Sequence, residues 1–455
     1  MYGFHSLTAT LAYMEANRVA ILPEVPRLAV KVPMPEQANR REGFGKSMGE
    51  RNSTRSQFGL NAANFFQAEM VGVVLPVLNA FLREAHWRYD MIGIATATAG
   101  LGTLVFQTPA GLLTDRSSRR RLLFATAAVL TGLCFTLIPL LPHSAAIIDS
   151  LLFIAGAVQT LFVPLMGALA LALVGHQRLS RTMGINQSWN HAGNIASAAI
   201  AMGLVAALGL TSIFYAVGVS SVLAAIAVLI IRERDLNERL ATGLTRDDEQ
   251  AVKWTVLLRD RVVLFLFISI FLFHLANAPI LPAVALYVKK LGGSDDLMTA
   301  TVLTAQIVMV PVSLLAGKYC DLWGRKPVMA IAFWVLPLRI LSYSFVTTPS
   351  AIVWLQSLDG IGAGIYGVAV VALSADLTRG KGRFNTLMGL FATALATGGV
   401  LGPLITGTLI QHLGFKSTFY CFTLLAAVGA IVFTLLVPET KAPANIPGER
   451  QMVEA

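Results

Sequence analysis

The sequence predicts an all-α membrane protein of twelve transmembrane helices, arranged as two pseudo-symmetric six-helix bundles with both termini in the cytoplasm. Three observations carry this prediction. The 455 residues are 55% hydrophobic and 13% charged, with a mean hydropathy of +0.67, too little charge to cover a soluble protein of this length. Apolar segments of about 20 residues, the length that crosses a bilayer core as a helix, recur along the whole chain. Short motifs then repeat in the same order at an offset of 205–206 residues.

The apolar segments fall at 58–82, 90–113, 122–141, 145–173, 183–207, 210–231, 262–288, 297–317, 328–346, 350–373, 385–411 and 416–437. The fifth and eleventh, rich in Gly, Asn and Ala, have the weakest apolar signal. Lys and Arg set the orientation. With residue 57 inside, the inner loops hold nineteen of them, including Arg116, Arg119, Arg120, Arg121, Arg325 and Lys326; the outer loops hold five. The net charge of +10 is thus a topology signal, and binding of nucleic acid is not expected. The expected organisation is a cytoplasmic, disordered extension over 1–56, bundles over 57–231 and 262–437, a polar loop over 232–261 between them, and a tail over 438–455. Residues 1–56 lack the apolar core of a signal peptide, and Met48 is an alternative initiator to Met1. Cys134, Cys320 and Cys421 form no metal-ligand or disulfide pattern, and no phosphate-cradling GxxxxGK[ST] occurs, so no metal, cofactor or ATP drive is expected.

The repeat is explicit in "GLLTDRSSRR" and "GKYCDLWGRK", which follow the second and eighth spans. They align Gly111 with Gly317, Asp115 with Asp321, and Arg119 and Arg120 with Arg325 and Lys326. "RLSRTMG" and "RFNTLMG" match at 205, Arg178 with Arg383, and Pro76 matches Pro282 at 206. At these residues the chain resembles the major facilitator superfamily. Its signature Gly-x-x-x-Asp-Arg-x-Gly-Arg-Arg is matched by Gly111, Asp115, Arg116, Arg119 and Arg120, with Ser118 for the second glycine. The second copy keeps Gly324 but has Leu322 for the first arginine. "GGVLGPLITG", with Gly398, Gly402, Pro403 and Gly407, resembles the glycine-proline motif of the drug–proton antiporter branch, although there it sits in the fifth span rather than the eleventh. The arginine which that branch carries in the fourth span is absent. The resemblance implies a monomer that moves a small-molecule solute by alternating access, with the gating motif biasing the inward- and outward-open states.

Polar residues inside the spans point to the site. Glu69 lies about 16 Å along the first helix from its cytoplasmic end, near the midplane. It shares a small, polar stripe with Asn61, Asn64, Ala68, Gly72, Pro76 and Asn79. An intramembrane acid marks a functional site by default, as proton carrier or solute ligand, though a neutral acid that only packs helices is the alternative. His274 sits 205 residues later at similar depth, with Asn277 as companion and Pro279 and Pro282 to loosen its helix. The fifth span gathers Asn186, Gln187, Asn190, His191, Asn194 and Ser197 on one face, read as a wet cavity wall or as interhelical glue. Arg339 and Asp359, at equal depth on consecutive antiparallel spans, read as an intramembrane ion pair, structural or functional. Gln107, Gln159 and Gln306 can also line a cavity.

The expected function is secondary active transport across a cell membrane, of the bacterial inner-membrane kind, as proton-coupled efflux of a small organic solute. Proton-coupled or facilitative uptake of a polar nutrient or chelate is the alternative, and a transporter-like receptor without flux is a remote one. An enzyme is not expected: no Ser or Cys nucleophile stands at workable spacing from the intramembrane His, Asp and Glu.

Overall fold

The computed structural model describes residues 54–72, 74–142 and 144–441. The expected N-terminal extension up to residue 53, the alternative starts Met1 and Met48, the last fourteen residues of the tail and the side chains of Pro76 and Pro403 lie outside the described residues. The described residues form helices and no strand. In chain order these are α1 Thr54–Gly72, α2 Val74–Glu84, α3 Tyr89–Arg116, α4 Arg120–Leu137, α5 Ala145–Gln159, α6 Phe162–Leu208, α7 Thr211–Ile230, α8 Thr255–Arg259, α9 Arg261–Asn277, α10 Ile280–Lys290, α11 Asp295–Trp323, α12 Arg325–Tyr343, α13 Pro349–Leu377 and α14 Phe384–Leu436.

Eleven stretches among the described residues are long and apolar enough to cross a bilayer. One of them, Ala145–Leu208, is 64 residues long; it holds α5 and α6, and α6 is itself two helices joined at Gly175, where φ is 69° and ψ is 178°. Unbroken, it would extend about 96 Å, three times the hydrocarbon core. The expected fourth and fifth spans both fall within it. Several helices run past the apolar segment that nominated them: α3 continues to Arg116, α11 to Trp323 and α13 to Leu377. Apolarity ends at the headgroups, whereas helical hydrogen bonding continues until a cap stops it. Side-chain caps start three of the helices: Ser144 on α5, Asp260 on α9 and Ser294 on α11.

The repeat is visible in the packing. α1 packs on α6 and α7, α3 on α5, and α4 on α7. At the repeat offset α9 packs on α14, α11 on α13, and α12 on α13 and α14. Between the two sets, the main contacts are α3 with α14 and α6 with α11 and α13. Chain reversals repeat as well: the positive-φ positions pair as His86 with Gly292, Gly175 with Gly380, and Gly209 with Gly414. Nothing lies within 4 Å of a Cβ added at Gly209, so the backbone, with φ at 80° and ψ at 175°, is what demands glycine there.

This separates strain from crowding in one comparison. Gly209→Ala is expected to destabilise by about 1–3 kcal/mol through the unfavourable dihedral alone. Gly203→Ala, in helical backbone with equally open space, is expected to be neutral or to stabilise by up to about 1 kcal/mol. Thermal unfolding of the detergent-solubilised variants reads both; equal effects would contradict the assignment.

Candidate transport site

The motif residues lie at one end of the helices, where the two repeats are stitched together. Asp115, near the C-terminus of α3, reaches across to the start of α14. Its carboxylate accepts from the backbone N–H groups of Asn385 (3.1 Å) and Thr386 (2.8 Å), from the Asn385 amide (2.9 Å) and from the Thr386 hydroxyl (2.5 Å). A carboxylate on the first turn of a helix satisfies orphan N–H donors and complements the helix dipole. Here the cap comes from the other repeat. Gly111, one turn earlier, brings α3 against the Asn385 backbone, so that an added Cβ would clash with its carbonyl. Further along the same seam the Thr108 and Thr393 hydroxyls bond at 2.8 Å.

The second seam, α6 on α11, is the repeat mate. Gly184 and Gly317 lie in backbone contact, with a Cβ at either meeting the other's Cα at 3.1 Å. The Ser188 hydroxyl donates to the Val310 carbonyl at 2.8 Å, and His191 Nδ1 pairs with Gln306 Oε1 at 2.9 Å. Asp321 faces Ser180 but is held by its own motif, 3.3 Å from Arg325, and Arg325 in turn bonds Asp376 at 3.0 Å. The N-terminus of α12 is capped by Glu439, which accepts from the N–H groups of Arg325 and Lys326. Arg120 is buried and paired with Glu238, while Arg116 and Arg119 are exposed.

The loop between α7 and α9 ties both repeats together at this end. Asn237 N–H donates to Ala172, the Asn385 amide donates to the Ala241 carbonyl, Gly380 N–H donates to Gly243, and Arg383 donates to the Val252 carbonyl. Lys381 pairs with Asp260 at 3.1 Å. Burial opposes the Asp260 charge, but the Lys381 ammonium and the N–H groups of Val262 and Val263 outweigh it and hold the carboxyl below the usual aspartate range. That contact therefore stabilises above the ordinary aspartate pKa and is lost on acidification through the lowered one.

The fifth-span polar face meets the first-span stripe as a ladder of amides. The Asn64 amide donates to Asn186 Oδ1 (2.7 Å), Asn186 to Asn61 Oδ1 (3.2 Å), Asn190 to Asn64 Oδ1 (3.0 Å) and Asn194 to Asn190 Oδ1 (3.2 Å). These groups satisfy one another and hold α1 on α6, in keeping with the glue reading. Gln187 instead faces Gly367 of α13. Glu69 is half-buried in a separate recess of about 20 Å³ with Ser197 and Ser220, room for one water. Its carboxylate faces the Ser220 hydroxyl, and its carbonyl accepts from Ser197 at 2.9 Å.

Two cavities are larger. One, of about 290 Å³, is lined by both repeats: Gln67, Gln107 and Gln159 from the first, Tyr366, Met388 and Phe391 among those from the second. The other, of about 200 Å³, lies in the second repeat and brings together His274, Asn277, Arg339 and Asp359. The Arg339–Asp359 ion pair expected from sequence is formed, with Arg339 only 2% exposed. Tyr366 and Leu395 line both cavities. Glu69 and His274 therefore do not meet. Of the eleventh-span glycines, Gly398 packs on the His274 backbone and Gly402 on Pro279, while Gly407 faces open space.

Three contributors escape a reading of composition. Gln67 is 200° around α1 from Glu69, one turn from Val71, so attention to the glutamate stripe hides it. Tyr366 carries no motif of its own, and Thr386 lies within RFNTLMG at a position where its repeat mate is Arg181. The offset of 205 could have found Thr386, since it aligns next to Asn385, the repeat mate of Ser180.

The Major Facilitator Superfamily model matches residues 58–312 and 266–454. An uncharacterized MFS-type transporter of Mycobacterium tuberculosis is 32% identical over 390 residues, covering 84% of this chain and 93% of that protein. A multi-drug resistance efflux pump of Streptococcus pneumoniae is 22% identical over 381 residues, covering 81% and 92%. Among solved structures, a proton:xylose symporter superposes with a TM-score of 0.65 at 16% identity, over 88% of this chain and 98% of that one. A human organic anion transporter gives 0.63 at 15% identity, over 84% and 99%.

Removing the cross-repeat cap should loosen the seam locally. Asp115→Ala is expected to weaken the first turn of α14 by about 0.5–2 kcal/mol. Hydrogen exchange should then speed up at Asn385 and Thr386 by up to about thirtyfold, with the α14 interior unaffected. Unchanged protection at both amides would contradict the cap.

Proposed function

The chain belongs to the major facilitator superfamily and is a multi-pass membrane transporter, and from that premise we propose that it exports a small organic solute in exchange for protons by alternating access. The observation that carries this reading is the cavity of about 290 Å³ lined jointly by both repeats. It lies where a solute would touch both bundles and so be handed from one side to the other as they rock. Its volume, with the adjoining 200 Å³, suits a small organic molecule. Its walls are apolar and aromatic, with the amides of Gln67, Gln107 and Gln159 as orienting groups.

The proposed topology has twelve passes, counting two within Ala145–Leu208, and cytoplasmic termini, as the excess of inner Lys and Arg requires. On that topology the Asp115 cap and the Gly184–Gly317 contact close the cytoplasmic end. These contacts must break for the solute to enter from inside, so they set the balance between the two open states. Glu69, beside Ser220 in the first repeat, and His274, in the second, are the proposed proton sites. Export is favoured by similarity to the multi-drug efflux pump and by the exporter-like motifs. The proposed unit is a monomer working in the cell membrane, without cofactor or nucleic acid.

Reconstitution into liposomes with an imposed pH gradient tests this, using a panel of organic cations, carboxylates and sugars. The wild type is expected to concentrate at least one solute against its gradient. Glu69→Gln is expected to cut that accumulation at least tenfold while solute exchange without a gradient continues. Full gradient-driven accumulation in Glu69→Gln would remove this residue from coupling, and no flux of any panel solute would contradict the transport reading for that panel. Separately, Gln107→Leu and Gln159→Leu are each expected to raise the apparent KM about two- to twelvefold with little change in maximal rate, the effect of one hydrogen bond. An unchanged KM in both would place the solute elsewhere.

A further inference from the structure

No Asp, Glu, Lys, Arg or His is among the described residues that line the cavity of about 290 Å³. Glu69 occupies its own recess, and Arg339 and Asp359 pair with each other in the adjoining chamber. A charged solute entering the shared cavity would shed its water and find no counter-ion, which is the costliest setting for a buried charge.

The cavity offers amides instead. Among the described residues, the side chains of Gln67, Gln107 and Gln159 have no hydrogen-bond partner, and Gln107 is buried against the cavity. Each amide presents two N–H donors and one carbonyl. Thr103 and Thr160 line the same space, but their hydroxyls already donate, Thr103 to the carbonyls of Ala99 and Gly156 (each 3.2 Å) and Thr160 to that of Ala157 (2.6 Å). The free donors are therefore those of the glutamines. The rings are fixed in advance. Phe162 leans on Phe124 at 5.2 Å, Tyr366 stacks on Phe273 at 5.5 Å and meets His274 edge-on at 4.8 Å, and Phe391 is fully buried. Such rings present faces that need no ordering when a solute arrives. The amides all come from the first repeat, on α1, α3 and α5, whereas Tyr366 and Phe391 come from the second, on α13 and α14.

The chain is also interrupted here. α5 ends at Gln159 and α6 begins at Phe162, within the fourth span, and Gln159, Thr160, Phe162 and Val163 on both sides of the break line the cavity. A broken helix inside a bilayer is tolerated where it borders a cavity, and it marks where a solute is held.

We infer that this cavity takes an uncharged aromatic solute with hydrogen-bond acceptors along one edge, and that it rejects organic cations and anions of the same shape. The solute's ring packs on Phe162, Tyr366 and Phe391, and its carbonyl, hydroxyl or ring-nitrogen edge accepts from the glutamine amides. Selection against charge comes from the missing counter-ion, not from size. The inference rests on the transport reading only in treating the occupant as cargo, and binding is measurable without flux.

Three molecules of one shape test it: para-hydroxybenzamide, which is neutral, para-hydroxybenzamidine, a cation, and para-hydroxybenzoate, an anion, together with their two-ring biphenyl homologues. Binding of the radiolabelled compounds to the full chain in nanodiscs is read by equilibrium dialysis at pH 7 against protein-free nanodiscs. In at least one series the neutral member is expected to bind at least tenfold more tightly than either charged member. Gln159→Glu is expected to tighten the amidine at least tenfold relative to the amide. Gln159→Met, which keeps the volume, is expected to weaken the amide about two- to twelvefold without admitting the amidine. Equal binding within both series, preference for a charged member, or no binding of any compound by the wild type would overturn the assignment, and so would unaltered discrimination in Gln159→Glu. Preferential binding of the neutral member by protein that moves none of the compounds in liposomes would count against the transport reading alone. Faster transport of a charged member would keep that reading and overturn this one.

Discussion

A polar group inside a bilayer core has no water to bond, so each one must find its partner within the protein. That single constraint sorts the residues of this chain. The asparagines of α1 and α6 are strongly polar and lie in spans, yet they satisfy one another and so act as an adhesive between two helices. The serine and threonine hydroxyls mostly fold back on carbonyls one turn earlier in their own helices, as Thr114, Ser269 and Ser374 do. Some buried polar atoms stay unpaired, and three of them, on Arg339, His274 and Asn277, border one chamber beside the cavity that both repeats share.

The same constraint shapes the seams. On the proposed alternating-access cycle, two bundles that separate cannot be joined by a continuous apolar core, because parting it would expose that core with nothing to replace it. Here the joins combine close backbone contact at glycine with a few hydrogen bonds whose groups can be rehydrated at the membrane surface. Asp115 on the first turn of α14 is of this kind. The loop between α7 and α9 adds bonds to both repeats at the same end, so a whole set of weak contacts holds that end together.

Much of this was legible in the sequence because duplication supplies an internal alignment. The spans, the paired motifs and the Arg339–Asp359 pair all follow from apolar length, the 206-residue offset and helical depth, and the pair is formed as expected. Direction around a helix was harder to read. Glu69 and Gln67 are two residues apart and face different cavities, and only the packing of α1 decides which one meets the cavity shared by both repeats. The break between the fourth and fifth spans was expected but not its form: one glycine with φ of 69° replaces most of the polar loop that composition leads one to expect. Tyr366 escaped because an aromatic in an apolar run carries no signal until its neighbours are known.

The central claim is that solute crosses because the seams at the motif-bearing end open and close. Thr108 and Thr393, whose hydroxyls bond at 2.8 Å across the α3–α14 seam, allow the most direct test. In a background lacking the three native cysteines, the Thr108→Cys/Thr393→Cys double variant is oxidised to a disulfide, reconstituted, and assayed with whichever panel solute the wild type moves fastest. Closing the seam covalently is expected to stop transport, and adding a reductant is expected to restore it. Undiminished transport by fully cross-linked protein would contradict the account.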